Sequence, residues 1–525
     1  MFDELVRGVP TASRSGVGVR DGQVCNTRQM ANMSDPVSAA EFDQLQSELD
    51  AVYSLNSPES TTPHVIVPMP SFSLGEGLLS HYGGRLASLE HRFLVGVFTL
   101  RMPAARLVYV CSAEPAPEVI DHYFSLLPDP QNARDRFRLV VVEDSSTRPV
   151  AAKLLERPDL LDGITAWIGD DPAYIEPWNV AAAEQRLALR LGLPILGSAP
   201  DVWPLGFKSA GRRVFREAGV PVPDGIEDLT TVAEAVDAID QLRANRDDLP
   251  AVILKHDDSG AGDGNAVIHT NDLDRAGTAS SRRRVLSRIN HLEPWYLDTL
   301  ELGFVAESRI VGEQFSSPSA QAEIRPDGSA VILSTHEQIL TEDDQVYLGC
   351  RFPANPDYAA RLGAHARTAA GVIASKGGLG RLGIDFVTAR SGTDDWSVHA
   401  IEINLRKPGT SHPYSALRHL APGRYDVDAG TYTDDRGQAK FYVASDNLVE
   451  ENWTGIAEVD VIAAIRDAGL SFDTSSRTGV VPHMLSCLAI DGRFGLTAIA
   501  NSPAQAEELQ EATVSAMRAL AASYH

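Results

Sequence analysis

The chain has 525 residues, of which 43% are hydrophobic, and a formal net charge of −25. That length exceeds what one hydrophobic core supports, so about three globular domains are expected. The acidic excess speaks against nucleic acid or an anionic membrane as partner, because both require basic surface.

The N-terminal stretch MFDELVRGVPTASRSG lacks the apolar core of a signal peptide. Residues 1–36, rich in Gly, Ser, Arg and Asn, read as a mobile tail. Phe42, Leu45, Leu49 and Val52 recur at helical spacing and predict an amphipathic helix from Ser38 to Leu55, which with the loop Ser57–Pro63 completes a segment 1–63. From His64, apolar runs alternate with helical ones. The expected strands are HVIVPMP, RLVYVCS, RFRLVVVED, ITAWIGD and LPILGSA, with helices at Leu78–Phe98, Glu118–Leu127 and Asn179–Leu191. Strands separated by helices predict a parallel, doubly wound α/β domain over 64–200.

Next come a helix, Phe207–Gly219, stopped by Gly219 and Pro221, and a second helix, Leu229–Asn245. Strand AVILK (251–255) runs into the glycine-rich HDDSGAGDGN and then strand NAVIHT. Leu302–Val311, Gln314–Arg325 and Ala330–Leu340 read as consecutive antiparallel strands, with Pro326-Asp327-Gly328 as a hairpin turn. Helix Tyr358–Lys376 precedes two further strands, Gly383–Ala389 and Trp396–Leu405, joined by Ser-Gly-Thr-Asp-Asp. A last segment, 421–525, closes with strand MLSCLAI, turn Asp491-Gly492, strand GLTAIA and helix Pro503–Ser523. Cys25, Cys111, Cys350 and Cys487 lack CxxC spacing, suggesting neither a zinc site nor a disulfide framework. With no run of about 18 apolar residues, a cytoplasmic protein is expected.

The richest stretch is RLGIDFVTARSGTDDWSVHAIEINLRKPGTSHPY, residues 381–414. Glu402 and Asn404 share a strand face, and a hairpin can bring Asp385 opposite them. Three oxygen ligands beside Arg406 and Lys407 suit Mg²⁺ carrying nucleotide phosphates. The alternative is a solvated polar face, which the flanking Ile, Phe, Val and Leu disfavour, since buried carboxylates need a cation. Gly260, Gly262 and Gly264 would let backbone amides approach phosphate, although the loop joins two strands, which disfavours a dinucleotide site. Lys208 at a helix start and Lys255 at a strand end supply two cations from different directions. At the strand break Glu307-Ser308-Arg309-Ile310, followed by Glu313, main-chain groups can meet an adenine edge and an acid can accept from ribose. Gly409, Thr410, Ser411 and His412 leave room for substrate, with backbone amides as an oxyanion site. His336 and His483 read as ordinary hydrogen-bonded histidines. No GxxxxGK[ST] or GxSxG motif occurs, so neither a P-loop enzyme nor a serine hydrolase is supported.

The ordered set of Lys208, Lys255 with its glycine flap, Glu307–Ile310, Asp385 and Glu402-x-Asn404 resembles the ATP-grasp superfamily of carboxylate–amine ligases from about Lys208 to His412. SFSLGEGLLSHYGGRLASLEHR, VGEQFSSPSAQAEI and TGVVPHML look like the branch containing the pheganomycin-type peptide ligase. The resemblance implies an ATP-grasp domain over 201–420, preceded by the α/β domain of 64–200 and followed by a small α+β domain, 421–525. It implies an acylphosphate formed from a carboxylate and ATP, then attacked by an amine, with release of ADP and phosphate.

Two Mg²⁺ ions would lie on Asp385, Glu402 and Asn404. The nucleotide would lie against Lys208, Lys255, the flap glycines, Glu307, Ser308, Ile310 and Glu313. Arg406 and Lys255 would act in catalysis, and Arg406 with Gly409–His412 would hold substrate. The donor would be a small acid, guanidino-bearing ones included, and the acceptor a peptide amine, in peptide antibiotic biosynthesis; a homodimer is compatible. Alternatives are another acceptor, such as bicarbonate, ammonia or a thiol, or a catalytically silent nucleotide binder. One departure stands out. D-alanine ligases place an arginine two residues before the metal aspartate, where this chain has Gly383; Arg381 or Arg406 must supply that charge, Arg406 being preferred.

Overall fold

The computed structural model describes residues 36–524 apart from 75–78, 80–82, 247, 260–263 and 342–346. The tail 1–35, Cys25 and the flap glycines Gly260 and Gly262 lie outside the described residues.

The α/β unit contains four parallel strands in the order Phe137–Val141, Ala105–Cys111, His64–Met69, Ala173–Pro177. Alternate residues feed two cores. Val65, Val67, Val108 and Val110 point to one, and Ile66, Leu107 and Tyr109 to the other, so both sheet faces are covered. The run ITAWIGD, expected as a strand, instead ends helix Pro158–Ile168. Its buried Leu161, Ile164 and Ile168 follow helical spacing, with Pro158 in the first turn and Gly169 at φ 64 as the stop. Of LPILGSA, Ile195 makes an isolated bridge to Ile175.

This unit also buries a carboxylate. Glu90 accepts from the Ser112 amide at 2.6 Å and its hydroxyl at 2.8 Å. Burial pushes the carboxyl up to about 7 from 4.5, against the pull of Ser112 and Lys153. Between those values the folded state keeps a proton that the unfolded chain has released, so this group's contribution to stability falls as pH rises. Glu90→Gln is therefore expected to gain on the parent by about 2–3 kcal/mol between pH 4.5 and 8. Urea unfolding at both pH values measures the gap; a constant difference would refute the assignment.

A second sheet runs Gly225–Leu229, Phe304–Ser308, Ala251–His256, Asn265–His269, all antiparallel, under helices Val232–Asn245 and Ala279–Ile289. Phe304–Ser308 is thus not the neighbour of Gln314–Arg325, as alternation alone suggested. Strands Gln314–Ser316 and Pro318–Ile324 belong to a nine-stranded sheet, and residues 309–313 carry the chain from one sheet to the other.

The large sheet runs Ser397–Asn404, Gly380–Arg390, Pro318–Ile324, Ala330–Leu340, Tyr347–Phe352, Phe441–Val449, Arg493–Ala500, Gly479–His483. Beyond residue 420, Gly423–Asp426 and Thr431–Asp434 form a separate hairpin, while Phe441–Val449, Arg493–Ala500 and Gly479–His483 pair into this large sheet. MLSCLAI is not a strand either. After Met484 at φ 56 the chain winds helically over Leu485–Cys487 and Leu488–Asp491. Helix Pro356–Ser375 covers one face of the first strands, packing Leu362, Ala366, Ala369 and Ile373 against Ala320, Ala322, Leu382, Ile384 and Phe386. The opposite face is not covered by this helix. Among the described residues no helix is long and apolar enough to cross a membrane.

Candidate active site

Directly opposed residues of antiparallel strands share a face. Strand pairing places Glu402 opposite Asp385, Asp385 opposite Ser319 and Ser319 opposite His336. Two residues away, Asn404, Gly383, Gln321 and Ser334 form a parallel row. Two polar rows therefore cross the face that helix Pro356–Ser375 leaves open. The register shifts after Asp385, where Ile401 is left over between Glu402 and Ala400; such a bulge bends a strand and re-aims its side chains. Asp385 accepts from Asn404 Nδ2 and from Gln338 Nε2, each at 2.8 Å. Burial and the facing Glu402 charge push the Asp385 carboxyl above the usual carboxylate range, while Arg406 pulls it down. Two carboxylates so enclosed fit a divalent cation, which would replace repulsion with coordination.

Helix Lys208–Glu217 lies against this strand pair, closely at the preceding Gly206 and at ordinary contact distance at Gly211. A Cβ at Gly206 would stand 3.3 Å from the Ile403 carbonyl, and one at Gly211 3.5 Å from the Ile403 side chain. Lys208 Nζ bonds Glu402 at 3.0 Å and the Ser259 carbonyl at 2.7 Å. Asp257 accepts from the Ser209 amide at 2.8 Å, fastening the helix start to the end of the Lys255 strand. Lys255 Nζ meets Glu307 at 2.5 Å, and Arg212, 1% exposed, meets the other oxygen of Glu307 at 2.5 Å. Burial works against ionising Glu307, but these two cations hold its carboxyl below its usual range. Gly264 has a steric reason of its own, since a Cβ there would lie 2.3 Å from that of Ser259.

The structure separates the two candidate arginines. Arg381 bonds Glu323 at 2.9 Å, and Glu323 also accepts from Tyr53. Arg406 instead lies with its guanidinium 4.8 Å from the Trp178 ring centroid and acts on Asp385. Gly383 cannot carry an arginine, because a Cβ there would come within 2.9 Å of Pro408. Thr410 precedes helix Ser411–Leu420, so Ser411 and His412 occupy its first turn. Ser411 Oγ donates to Gln321 at 2.5 Å, tying that turn to the second polar row.

A cavity of about 1450 Å³ is lined by Asp385, Glu402, Asn404, Arg406 and Gly409–His412, together with Ser319, Gln338, Trp178 and Asp257–Ser259. The expected metal and substrate residues thus come together. Lys208 and Lys255 do not line it, their ammonium groups being held on Glu402, Ser259 and Glu307. Nor do Glu307, Ser308, Ile310 and Glu313. Glu307 and Ser308 are buried at the end of the second sheet, and Glu313 accepts from the Gly392 amide at 2.9 Å. Glu307 therefore acts here as a counter-ion to Lys255 and Arg212. Gln338, Ser319, Trp178 and Arg212 were missed from sequence, where a lone polar or aromatic residue in an apolar strand or helix carries no signal of its own.

The chain can be set beside known proteins. A family model described as the PGM1 C-terminal domain matches residues 460–513. The chain is similar to the L-propargylglycine–L-glutamate ligase of Streptantibioticus cattleyicolor, 28% identical over 418 residues, covering 78% of this chain and 85% of that protein. It is also similar to IQ motif-containing protein H of Danio rerio, 27% identical over 187 residues, covering 32% of this chain and 18% of that much longer protein. Among solved structures, the ADP complex of N5-carboxyaminoimidazole ribonucleotide synthetase has a TM-score of 0.50 at 10% identity, over 87% of this chain and 97% of that one. Biotin carboxylase from Campylobacter jejuni, complexed with β,γ-ATP, has a TM-score of 0.50 at 12% identity, over 87% of this chain and 95% of that one. Identities this low bear on the fold alone, and the fold is that of ATP-grasp enzymes.

Proposed function

We propose that this chain is an ATP-grasp carboxylate–amine ligase that joins a small carboxylic acid to the amine of an amino acid or peptide, through an acylphosphate and with release of ADP and phosphate. The observation that carries this reading is the facing pair Asp385 and Glu402, with Asn404, on a polar sheet face that opens into the cavity. Asp385, Glu402 and Asn404 would hold Mg²⁺, two ions being the expectation, and bound Mg²⁺ would neutralise charge on the triphosphate. The protein's own groups supply the rest. Lys208 and Lys255 exchange Glu402, Ser259 and Glu307 for phosphate oxygens. Arg406, steadied on Trp178, holds the donor carboxylate beside Asp385. Backbone amides at the start of helix Ser411–Leu420 receive negative charge that develops on the acyl oxygen. The ligase relative acts, by its name, on two amino acids; guanidino-bearing acids and short peptides belong in the same substrate panel.

The test is where the oxygen goes. Oxygen-18 in the donor carboxylate should appear in released phosphate, with one ADP and one phosphate per amide. Hydroxylamine should trap the intermediate as a hydroxamate when the acceptor is absent. AMP with pyrophosphate, or label retained outside phosphate, would reject the acylphosphate; nucleotide binding without turnover across the panel would favour a silent binder.

Lys208→Ala and Lys255→Ala are each expected to weaken ATP binding by about 1.5–3 kcal/mol, the range for a charge-assisted hydrogen bond. Calorimetric titration with a non-hydrolysable analogue reads this directly. Unchanged affinity in both variants would leave the lysines as counter-ions to Glu402 and Glu307.

A further inference from the structure

We propose that His412, His483 and Asp446 form a cation site for a borderline divalent ion such as Zn²⁺, separate from the carboxylate pair of Asp385 and Glu402. The two imidazole Nε2 atoms lie 3.1 Å apart, and each approaches the same Asp446 Oδ1, at 3.1 Å from His412 and 2.7 Å from His483. Three potential ligand atoms on three separate elements thus converge on one point.

Protons alone leave one contact of this triangle uncompensated. Each Nε2 carries at most one hydrogen. If both carry one, Asp446 Oδ1 accepts both with its two lone pairs, but the two nitrogens then stand 3.1 Å apart with no hydrogen between them. If one is bare, its lone pair faces the carboxylate lone pair. A single cation satisfies all three lone pairs at once. Tetrahedral ligands on bonds of about 2.1 Å stand about 3.4 Å from one another, so the three atoms, now 2.7–3.1 Å apart, would spread by a few tenths of an ångström around a bound ion. An ion with such bonds would sit to one side of the triangle, leaving its remaining positions open.

The surroundings hold the ligands in place. Asp446 Oδ2 accepts from Arg92 at 2.8 Å, which leaves Oδ1 for the cluster. The His483 ring lies so close to Gly495 that a Cβ there would come within 2.2 Å of Nε2. His412 and Asp446 line the cavity and His483 is 4% exposed, so the open positions are reached from the substrate side. Two imidazoles and one carboxylate favour Zn²⁺ or Co²⁺ over Mg²⁺, which prefers oxygen. An oxygen or amine of a substrate is the class of group that would complete the shell.

The site does not depend on the ATP reading, and its test separates the two. Untagged protein is stripped with chelator, loaded with Zn²⁺ and passed through gel filtration, and the bound metal is measured. About one equivalent per chain is expected for the parent and for Asp385→Asn, and none above background for His412→Ala or His483→Ala, with at least ~100-fold weaker binding in competition with a chromophoric chelator. Co²⁺ should give visible absorption in the parent and lose it in the same two variants. Melting curves without metal establish that the variants fold, and Zn²⁺ should raise the melting temperature of the parent but not of His412→Ala. Equal zinc in parent and histidine variants, or none in the parent, overturns the site; loss only in Asp385→Asn would assign the zinc to the carboxylate pair.

Discussion

Glu402→Gln is expected to abolish nearly all ATP turnover, a loss on the order of 10²–10³-fold or more, while the protein remains folded. The glutamine keeps the shape of the side chain and its place opposite Asp385, so the hairpin register and the bulge at Ile401 have no reason to change. What disappears is the charge that the proposed cation site would use. Two effects on stability oppose one another. Lys208 loses the charge of its 3.0 Å partner on Glu402, though a glutamine oxygen can still accept from it, and it retains the Ser259 carbonyl. Asp385 is freed from the facing charge that raises its pKa. A melting temperature close to the parent's is the expected balance. ADP release with excess Mg²⁺, measured beside a melting curve, decides the matter. Turnover within a few-fold of the parent would remove Glu402 from the metal site, and with it the main support for the ligase mechanism.

The features legible in the sequence were those that depend on local repetition. Glu402 and Asn404 share a face because strand side chains alternate, and a short polar turn could fold Asp385 back onto them. The parallel sheet beginning at His64 was legible from its alternation of strand and helix. The failures lie where short-range pattern is ambiguous or where distant segments meet. ITAWIG contains β-branched residues suited to a strand, yet Leu161, Ile164 and Ile168 also fit a helix, and the proline before them settled the outcome. Alternation identified Phe304–Ser308 as a strand but not its partner, which is why the crossing between two sheets at 309–313 was read as a hairpin. The contacts of Gln338 with Asp385, Lys208 with Glu402 and Arg212 with Glu307 span tens to hundreds of residues and leave no local mark. His483 seemed ordinary from sequence, and only the fold brings it to His412. Gly383 was legible as a departure from the family pattern but not as a consequence of Pro408 packing against it.

That departure leads to the second large effect, a contrast between two arginines. Arg406→Ala is expected to lower kcat by on the order of 10²–10³-fold with little change in melting temperature, because in the proposed mechanism the guanidinium, which acts electrostatically on Asp385, stabilises charge in transfer. Arg406→Lys should recover only part of the loss, since an ammonium lacks the planar fork that grips a carboxylate and stacks poorly on Trp178. Arg381→Met should behave in the opposite way. Its guanidinium neutralises Glu323 in a nearly buried pair, with side-chain exposures of 10% and 6%. Removing it leaves a carboxylate supported by Tyr53, in a setting where breaking a buried pair costs about 3–5 kcal/mol. The variant should melt at lower temperature, yet turn over within a few-fold of the parent per folded molecule when assayed well below that melting point. Steady-state kinetics and thermal unfolding on the three variants test both halves together. An inactive but stable Arg381→Met, beside an active Arg406→Ala, would transfer the catalytic charge to Arg381, and the Glu323 network would then become part of the active site.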